Sequence, residues 1–573
     1  MGRLILRRAK ALSALALFAV WTALLFKYFS YSPVDRLAIL ALLLYWLMPI
    51  LLGAAGLAFV VGRPIWALLK QEVQRLWPGI LVAGLLTVIF FSLIPPRMRV
   101  QLDETFLVST SRTMHLDRRA LMAMDEFTNG SKPKELNWVI DKRPPLFPFL
   151  VSLVHDARGY FIANAFLVNQ CVLFLLLVFT YAWLLPAYGP LAGIAGQLLA
   201  LCPPMVLWSA TSAGMELLSC LLFGTVIYSA IALSRRPSLA GLARLLTLGL
   251  LFSYCRYENI GFFLGILAVA IYISRSHPRW GSESLSQKLP ALLALTSVLL
   301  TPLALLFAHT LLQGDYFAVA SSAPLFSPGY IPQNLVSFFK TFPDARLGRP
   351  YGGAGLFGLA ALWPFYRLLG HRGRSLEVIF IGGAAAASLM LTLMFFAGNA
   401  ADINQIRLFL PITVLGALCP VFAWDKFPKR VSVIALVVAA AIFLGAQAPR
   451  ARDAKFGPSP NTNSMMQGID GLMSKLSHDK ATMLVISDYS PYFVINDFNS
   501  VAPETFLERR TIIEEMLRTG TTTDIFLLVP PDNLVANTNS AMLFKQLLHE
   551  FSWKLLAETH GKQPIHLYHL NKL

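Results

Sequence analysis

The sequence predicts a polytopic α-helical membrane protein with about thirteen transmembrane helices and a small extracytoplasmic α/β domain at its C-terminal end. Three observations predict it. Of 573 residues, 56% are hydrophobic and only 14% charged, where soluble domains carry about 25% charged residues. Apolar runs of about 20 residues, each long enough to cross a bilayer, recur along most of the chain. Past residue 448 the composition turns polar, and short strand-like segments replace the long runs.

In order, the spans cover roughly 11–29, 36–62, 78–95, 161–185, 190–207, 213–233, 240–256, 257–274, 289–312, 352–369, 377–397, 405–423 and 431–448. The first follows MGRLILRRAK, which has the charge order of a signal peptide. No small-residue cleavage site follows, so it reads as an uncleaved span. MGRLIL also lacks the Ser or Thr at its sixth position that a myristoylation signal needs.

Basic clusters orient the array. They lie before the first span (Arg3, Arg7, Arg8, Lys10) and after the second (Arg63, Lys70, Arg75), the sixth (Arg235, Arg236), the eighth (Arg275, Arg279, Lys288), the tenth (Arg367, Arg372, Arg374) and the twelfth (Lys426, Lys429, Arg430). All six fall on one side of a plasma (inner) membrane if the N-terminus is cytoplasmic. The formal charge of +17 therefore points to cytoplasmic loops and not to nucleic acid. The opposite side receives residues 96–160, 313–351 and 449–573. The chain thus divides into extra N-terminal helices over 1–77, a main transmembrane domain over 78–448 that includes the outer loops 96–160 and 313–351, and an extracytoplasmic α/β domain over 449–573.

In that last domain ATMLVISDYS and DIFLLVP read as buried strands, and WKLLAET and IHLYHL as alternating ones. Between them APETFLERRTIIEEMLRTG reads as one helix. Pro503 stands near its start, Leu507, Ile512, Ile513 and Met516 share a face, and Gly520 is the stop. No Gly-rich phosphate loop follows the first strand, which argues against a nucleotide role. The five cysteines, Cys171, Cys202, Cys220, Cys255 and Cys419, lie in or beside apolar runs, so neither a disulfide framework nor a zinc site is indicated.

The ionisable residues near the membrane gather on the outer face. Asp103 and Glu104 follow the third span, and Asp141, Lys142 and Arg143 precede the fourth. Glu216 opens the sixth, Arg256 and Glu258 occupy the turn between seventh and eighth, and Asp402 and Arg407 open the twelfth. Each has an ordinary reading alone: a solvated loop pair, a snorkelling anchor, a mutually neutral pair, a helix-end charge. His115 and His155 read as polar surface residues of the first loop. Together the set is harder to dismiss, because ionisable groups within a membrane are expensive and mark functional sites.

One carboxylate among several cations suits sugar transfer from a polyprenyl-phosphate donor. The leaving group is a phosphate and needs no general acid. It needs cations to hold it and one carboxylate to take the acceptor's proton. Arg143, Lys142, Arg256 and Arg407 can supply the cations, and arginine's planar fork matches phosphate oxygens. Pro144 and Pro145 hold the backbone after Arg143 extended. Asp103 reads as the N-cap of ETFLVSTSRTM, where the helix terminus favours the ionised form that a base requires. A single displacement inverts the anomeric centre; a retaining double displacement by two carboxylates has no added support.

These residues resemble the GT-C fold membrane glycosyltransferases, in particular the group of protein mannosyltransferases and lipid A aminoarabinose transferases. Four segments carry the likeness in order across roughly 78–425: the acidic pair Asp103-Glu104, KRPPLFPFL, CRYENIGFFLG and IRLFLP. The resemblance implies a GT-C-like catalytic domain over 78–448. It further implies Asp103 as catalytic base with Glu104 in support, Arg143 on the donor phosphate, a lipid-phosphate sugar donor, and an outward-facing site. Glu216, Glu258 and Asp402 are further cavity candidates. Three spans precede the acidic loop where the family has one, an even difference that keeps the loop on the same side. Asn259 stands where the family more often has Gly. Some members use a divalent metal and others do not; the first loop has no Asp-x-Asp, and no metal is assigned. The acceptor is an envelope lipid, glycan or protein. The competing readings are an oligosaccharide ligase or polymerase, a transporter or flippase, which would show inverted repeats and a midplane site, and a structural scaffold.

Overall fold

A computed structural model describes residues 20–60, 65–99, 101–129, 132–277, 283–312, 326–344, 346, 349, 351, 354, 375–396, 398–401, 405–422, 431–453, 468–469, 471–474, 480–519, 524–529, 538–559 and 565–571. The chain forms two compact units. One comprises 1–97, 142–149 and 166–454; the other comprises 98–141, 150–165 and 455–573.

The first unit is helical, and its fold is that of a multi-pass membrane protein. Among the described residues five helices are long and apolar enough to cross a membrane: Pro33–Ala58, Val73–Leu93, Ala163–Tyr188, Glu216–Arg235 and Lys288–His309. Shorter apolar helices occupy Leu239–Ser253, Asn259–Arg275, Ile379–Met394, Ile406–Val421 and Val437–Pro449. The starts follow local chemistry. Ser32 Oγ accepts the Asp35 N–H at 3.2 Å ahead of Pro33 in the first helical position, and Ser238 Oγ accepts the Gly241 N–H at 3.0 Å.

The expected span 190–207 is not one helix. It breaks between Pro190–Leu201 and Pro204–Ala210 with an 80° bend, because Pro203 and Pro204 donate no N–H and disfavour helical backbone before them. Buried Gln197 donates its side-chain amide to the Gly79 and Leu177 carbonyls, at 2.9 and 3.1 Å, and pins three helices together. Gly79 and Gly193 leave room for the Tyr181 ring, which a Cβ at either position would strike. Of the expected span 352–369 only Ala354 falls within the described residues, and residues 11–19 of the first lie outside them.

The second unit is built on a seven-stranded sheet ordered β2-β1-β4-β3-β5-β7-β6, with strands Met122–Asn129 (β1), Lys132–Val139 (β2), Met483–Ile486 (β3), Asn499–Val501 (β4), Asp524–Val529 (β5), Ser552–Glu558 (β6) and His566–Asn571 (β7). The central strands β4, β3 and β5 are parallel, and the flanking pairs are antiparallel. Alternate residues of β3 enter opposite cores: Leu484 and Ile486 pack with Phe127, Val501, Phe506 and Ile513, while Met483 and Val485 pack with Phe493, Phe526 and Leu567. Both faces are covered, so the strand reads as a continuous apolar run.

The four strands expected in the tail are present, but the sheet also takes in an antiparallel hairpin from the first loop, with Glu126 paired to Ser500. The expected single helix is two, Pro503–Glu508 and Arg510–Thr519, and Ile512 is exposed while Ile513 is buried. Gly520 lies outside the described residues.

Asp125 joins the hairpin to the tail. It sits at an irregularity of the β1–β2 ladder, fully buried. Its Oδ1 accepts the Ala502 N–H at 2.6 Å, and its Oδ2 accepts the Thr505 hydroxyl at 2.6 Å and the Asn137 amide at 3.2 Å. An aspartate on one segment thus caps the helix Pro503–Glu508 of another.

His155 is also corrected from surface residue to core. It is fully buried, with Asn164 Nδ2 2.8 Å from its Nδ1 and Ser111 Oγ 3.1 Å from its Nε2. Because the amide donates to Nδ1, the ring proton stands on Nε2 and points to Ser111. That hydroxyl in turn donates to the Val108 carbonyl at 2.7 Å. The chain of donors is closed, so it is a structural brace and not a nucleophile with its base. His115 pairs with Asp156 at 2.6 Å, on the solvent side of this brace.

Candidate active site

Within the helical unit an open cavity brings together four sequence candidates: Glu216, Arg256, Glu258 and Arg407. Each stands at the end of an element. Glu216 is the first residue of the helix Glu216–Arg235, Arg256 and Glu258 lie in the turn between Leu239–Ser253 and Asn259–Arg275, and Arg407 belongs to the 3-10 turn Ile406–Phe409 that leads into Leu410–Phe422. Helix ends are where a membrane helix can present a charge without burying it in lipid.

Glu216 Oε1 lies 3.0 Å from Arg407 Nη1 and 3.6 Å from Arg256 Nη1, so one oxygen bridges two guanidiniums. Arg256 Nε is 2.5 Å from Glu258 Oε1. Glu216 and Arg256 are almost fully buried, and Arg407 is the most exposed of the four, with 22% of its side chain accessible. Arg256 and Glu258 do pair, as their ordinary reading holds, but inside a shared cavity.

The backbone ahead of Glu216 is held rigidly. Asn169, fully buried on the helix Ala163–Tyr188, donates to the Ser212 and Gly214 carbonyls at 2.7 and 2.8 Å. Ser212 Oγ accepts the Gly214 N–H at 3.2 Å. A Cβ on Gly214 would collide with Glu216 Oε2, so the glycine makes room for the carboxylate.

Besides the charges, the cavity wall includes the apolar side chains of Phe262, Phe326, Leu391, Phe395, Leu408 and Pro411, with the hydroxyls of Ser388 and Thr392 among them. Phe326 and Phe395 pair as a single antiparallel bridge with rings 5.2 Å apart. The sequence reading missed this wall, since no periodicity marks aromatics from separate segments that meet. It also missed what Asn259 does. The buried amide donates to Ser219 Oγ at 3.0 Å and the Phe252 carbonyl at 2.8 Å, tying the turn to the helix Glu216–Arg235; glycine there could not.

Lys142 and Arg143 belong to the same unit, the first half-buried and the second buried. The segment after them is anchored by the Leu146 N–H on the Tyr254 carbonyl at 3.0 Å, two residues before Arg256. Asp103 and Glu104 belong to the other unit, in the first turn of the helix Gln101–Asp117. Asp103 is therefore the third residue of the helix and not its N-cap, a first-turn position where the dipole still favours the ionised form. The pair is inequivalent: Asp103 is half-buried, while Glu104 is 2% exposed and accepts the Arg99 N–H at 3.0 Å. Asp402 lies outside the described residues. Among the described residues no group of three or more His, Cys, Asp or Glu could hold a metal ion, and the five cysteines are free thiols.

Two solved structures of ArnT from Cupriavidus metallidurans share this fold. The apo form aligns with a TM-score of 0.54 at 12% identity, over 86% of this chain and 97% of that one. The form bound to undecaprenyl phosphate aligns with 0.51 at 12% identity, over 85% and 97%. No protein-family model and no curated protein matches the chain. The likeness is one of fold, and it is the GT-C membrane glycosyltransferase fold that the sequence resembles.

Proposed function

We propose that the protein is an inverting glycosyltransferase that moves a sugar from a polyprenyl-phosphate donor to an envelope lipid, glycan or protein at the outer face of the membrane. The observation that carries this is the two-character lining of the cavity. The guanidinium groups of Arg256 and Arg407 line it together with the apolar side chains of Phe262, Phe326, Phe395, Leu391 and Pro411. A phosphate joined to a prenyl chain has the same two characters. The shared fold with a protein seen bound to undecaprenyl phosphate supports the same donor class.

In this reading Arg143, Lys142, Arg256 and Arg407 hold the phosphate and stabilise the charge that builds on it as the bond to the anomeric carbon breaks. The Asp103 carboxylate takes the proton from the acceptor hydroxyl as its oxygen attacks that carbon from the opposite side. The products are the inverted glycoside and the polyprenyl phosphate, and the proton passes from Asp103 to solvent. Glu104, held by the Arg99 N–H, supports the turn that carries Asp103. Some thirteen spans with a cytoplasmic N-terminus would put residues 96–160, 313–351 and 449–573 on the outer side.

Comparative mass spectrometry of envelope lipids and glycans, with and without the protein, tests the reading. One sugar should vanish from one acceptor while its polyprenyl-phosphate donor accumulates. Unchanged envelopes would remove the transferase assignment.

A further inference from the structure

The ion pairs of the cavity raise a difficulty that the proposed function must meet. Among the described residues that line the cavity, the guanidiniums of Arg256 and Arg407 already face two carboxylates, Glu216 and Glu258, which balance their charge before any phosphate arrives. Glu216 is the pivot of that balance, since its Oε1 alone reaches both Arg407 and Arg256, which come from different elements. We infer that Glu216 is a resident counter-ion, occupying in the empty protein the place that the donor's phosphate takes, and that binding proceeds by exchange of one anion for the other.

Three observations support the exchange, which rests on the donor reading given above. The oxygen is held only by charge-assisted contacts, and phosphate offers the same guanidiniums more oxygens in matching geometry. The backbone at Glu216 is clamped through Asn169 on Ser212 and Gly214, so the carboxylate can leave by side-chain rotation without moving the helix. Glu258, by contrast, is 2.5 Å from Arg256 Nε and has no such bridge to Arg407, so Arg256 keeps a counter-charge when Glu216 departs. The counter-ion also has a purpose in the empty state. Without it the guanidiniums of buried Arg256 and partly buried Arg407 would repel each other with little solvent between them to screen the charge. Glu216 therefore trades donor affinity for stability of the unliganded cavity and for release of the phosphate product. It sets specificity against neutral lipids, which cannot replace it.

The test is titration of the purified full-length protein with undecaprenyl phosphate, in wild type, Glu216→Gln and Glu216→Asp. Removing the competing charge should tighten binding by about tenfold in Glu216→Gln, and by a smaller factor in Glu216→Asp, whose shorter side chain cannot bridge both arginines. Thermal unfolding without lipid should show Glu216→Gln less stable than wild type, with a larger stabilisation by the lipid. If Glu216→Gln does not fold, Glu216→Asp decides alone. Wild type that binds the lipid while the variants bind no tighter would overturn the counter-ion and leave the donor reading intact. Absence of binding in all three would overturn the donor reading itself.

Discussion

At the scale of single residues, adjacent carboxylates that look interchangeable in sequence are not. Glu104 is buried and bonded to the backbone of Arg99, whereas Asp103 stays half-exposed in the first turn of its helix. Asp103→Asn should abolish sugar transfer in membranes while leaving the protein's level and insertion unchanged; full transfer by that variant would remove Asp103 as the base. Asn169→Ala removes the two hydrogen bonds that fix the residues before Glu216 and leaves two buried carbonyls unpaired. It should destabilise the helical unit by about 2–3 kcal/mol, measured by thermal unfolding in detergent. The charged candidates at Glu216, Arg256, Glu258 and Arg407 were legible because ionisable residues at the ends of apolar runs stand out. Asn169 was not legible, since an amide inside an apolar run carries no sign of whom it clamps.

His155, outside the membrane-spanning helices, gives a pH signature. Burial, reinforced by nearby His115 and opposed by Asp156, pushes its imidazole down to about 4. Protonation is thus easier in the unfolded chain. The stability His155 supports is complete above about pH 6.5 and is lost as pH falls from there toward about 4, by up to roughly 3 kcal/mol. Thermal unfolding across that range should show the decline, and His155→Gln should flatten it.

At the scale of elements, the two surprises have simple causes. The hairpin β1–β2 was hidden inside a loop between membrane spans, although the two residues Gly130-Ser131 between two strand-like runs are a local hairpin signal. Its pairing with a strand more than 300 residues later could not be read from either segment alone. The broken helix 190–210 was signalled by Pro203-Pro204, but a diproline at a break looks the same in sequence as one at a loop between spans. Asp125 is the joint of the sheet unit. Asp125→Ala leaves the Ala502 N–H, the Thr505 hydroxyl and the Asn137 amide without their acceptor. It should cost about 3 kcal/mol or more and expose the tail to limited proteolysis. Undiminished protease resistance would show that the strand pairing alone holds the hairpin.

At the scale of the whole molecule, hydropathy found the apolar helices because a bilayer imposes a length on every crossing. Their ends and bends depend on packing partners, which hydropathy does not see. The sheet unit draws its strands from two distant parts of the chain, so contiguous domain boundaries describe only part of its construction. The central functional claim is that the helical unit binds a polyprenyl phosphate through the arginines of its cavity. The most direct measurement is the affinity of the purified protein for undecaprenyl phosphate, compared between wild type and an Arg256→Gln/Arg407→Gln double variant, with a prenyl alcohol of the same length as the neutral control. Saturable binding of the phosphate to wild type, at least tenfold weaker in the double variant and absent for the alcohol, is the predicted result. Equal binding of phosphate and alcohol, or of wild type and double variant, would contradict it.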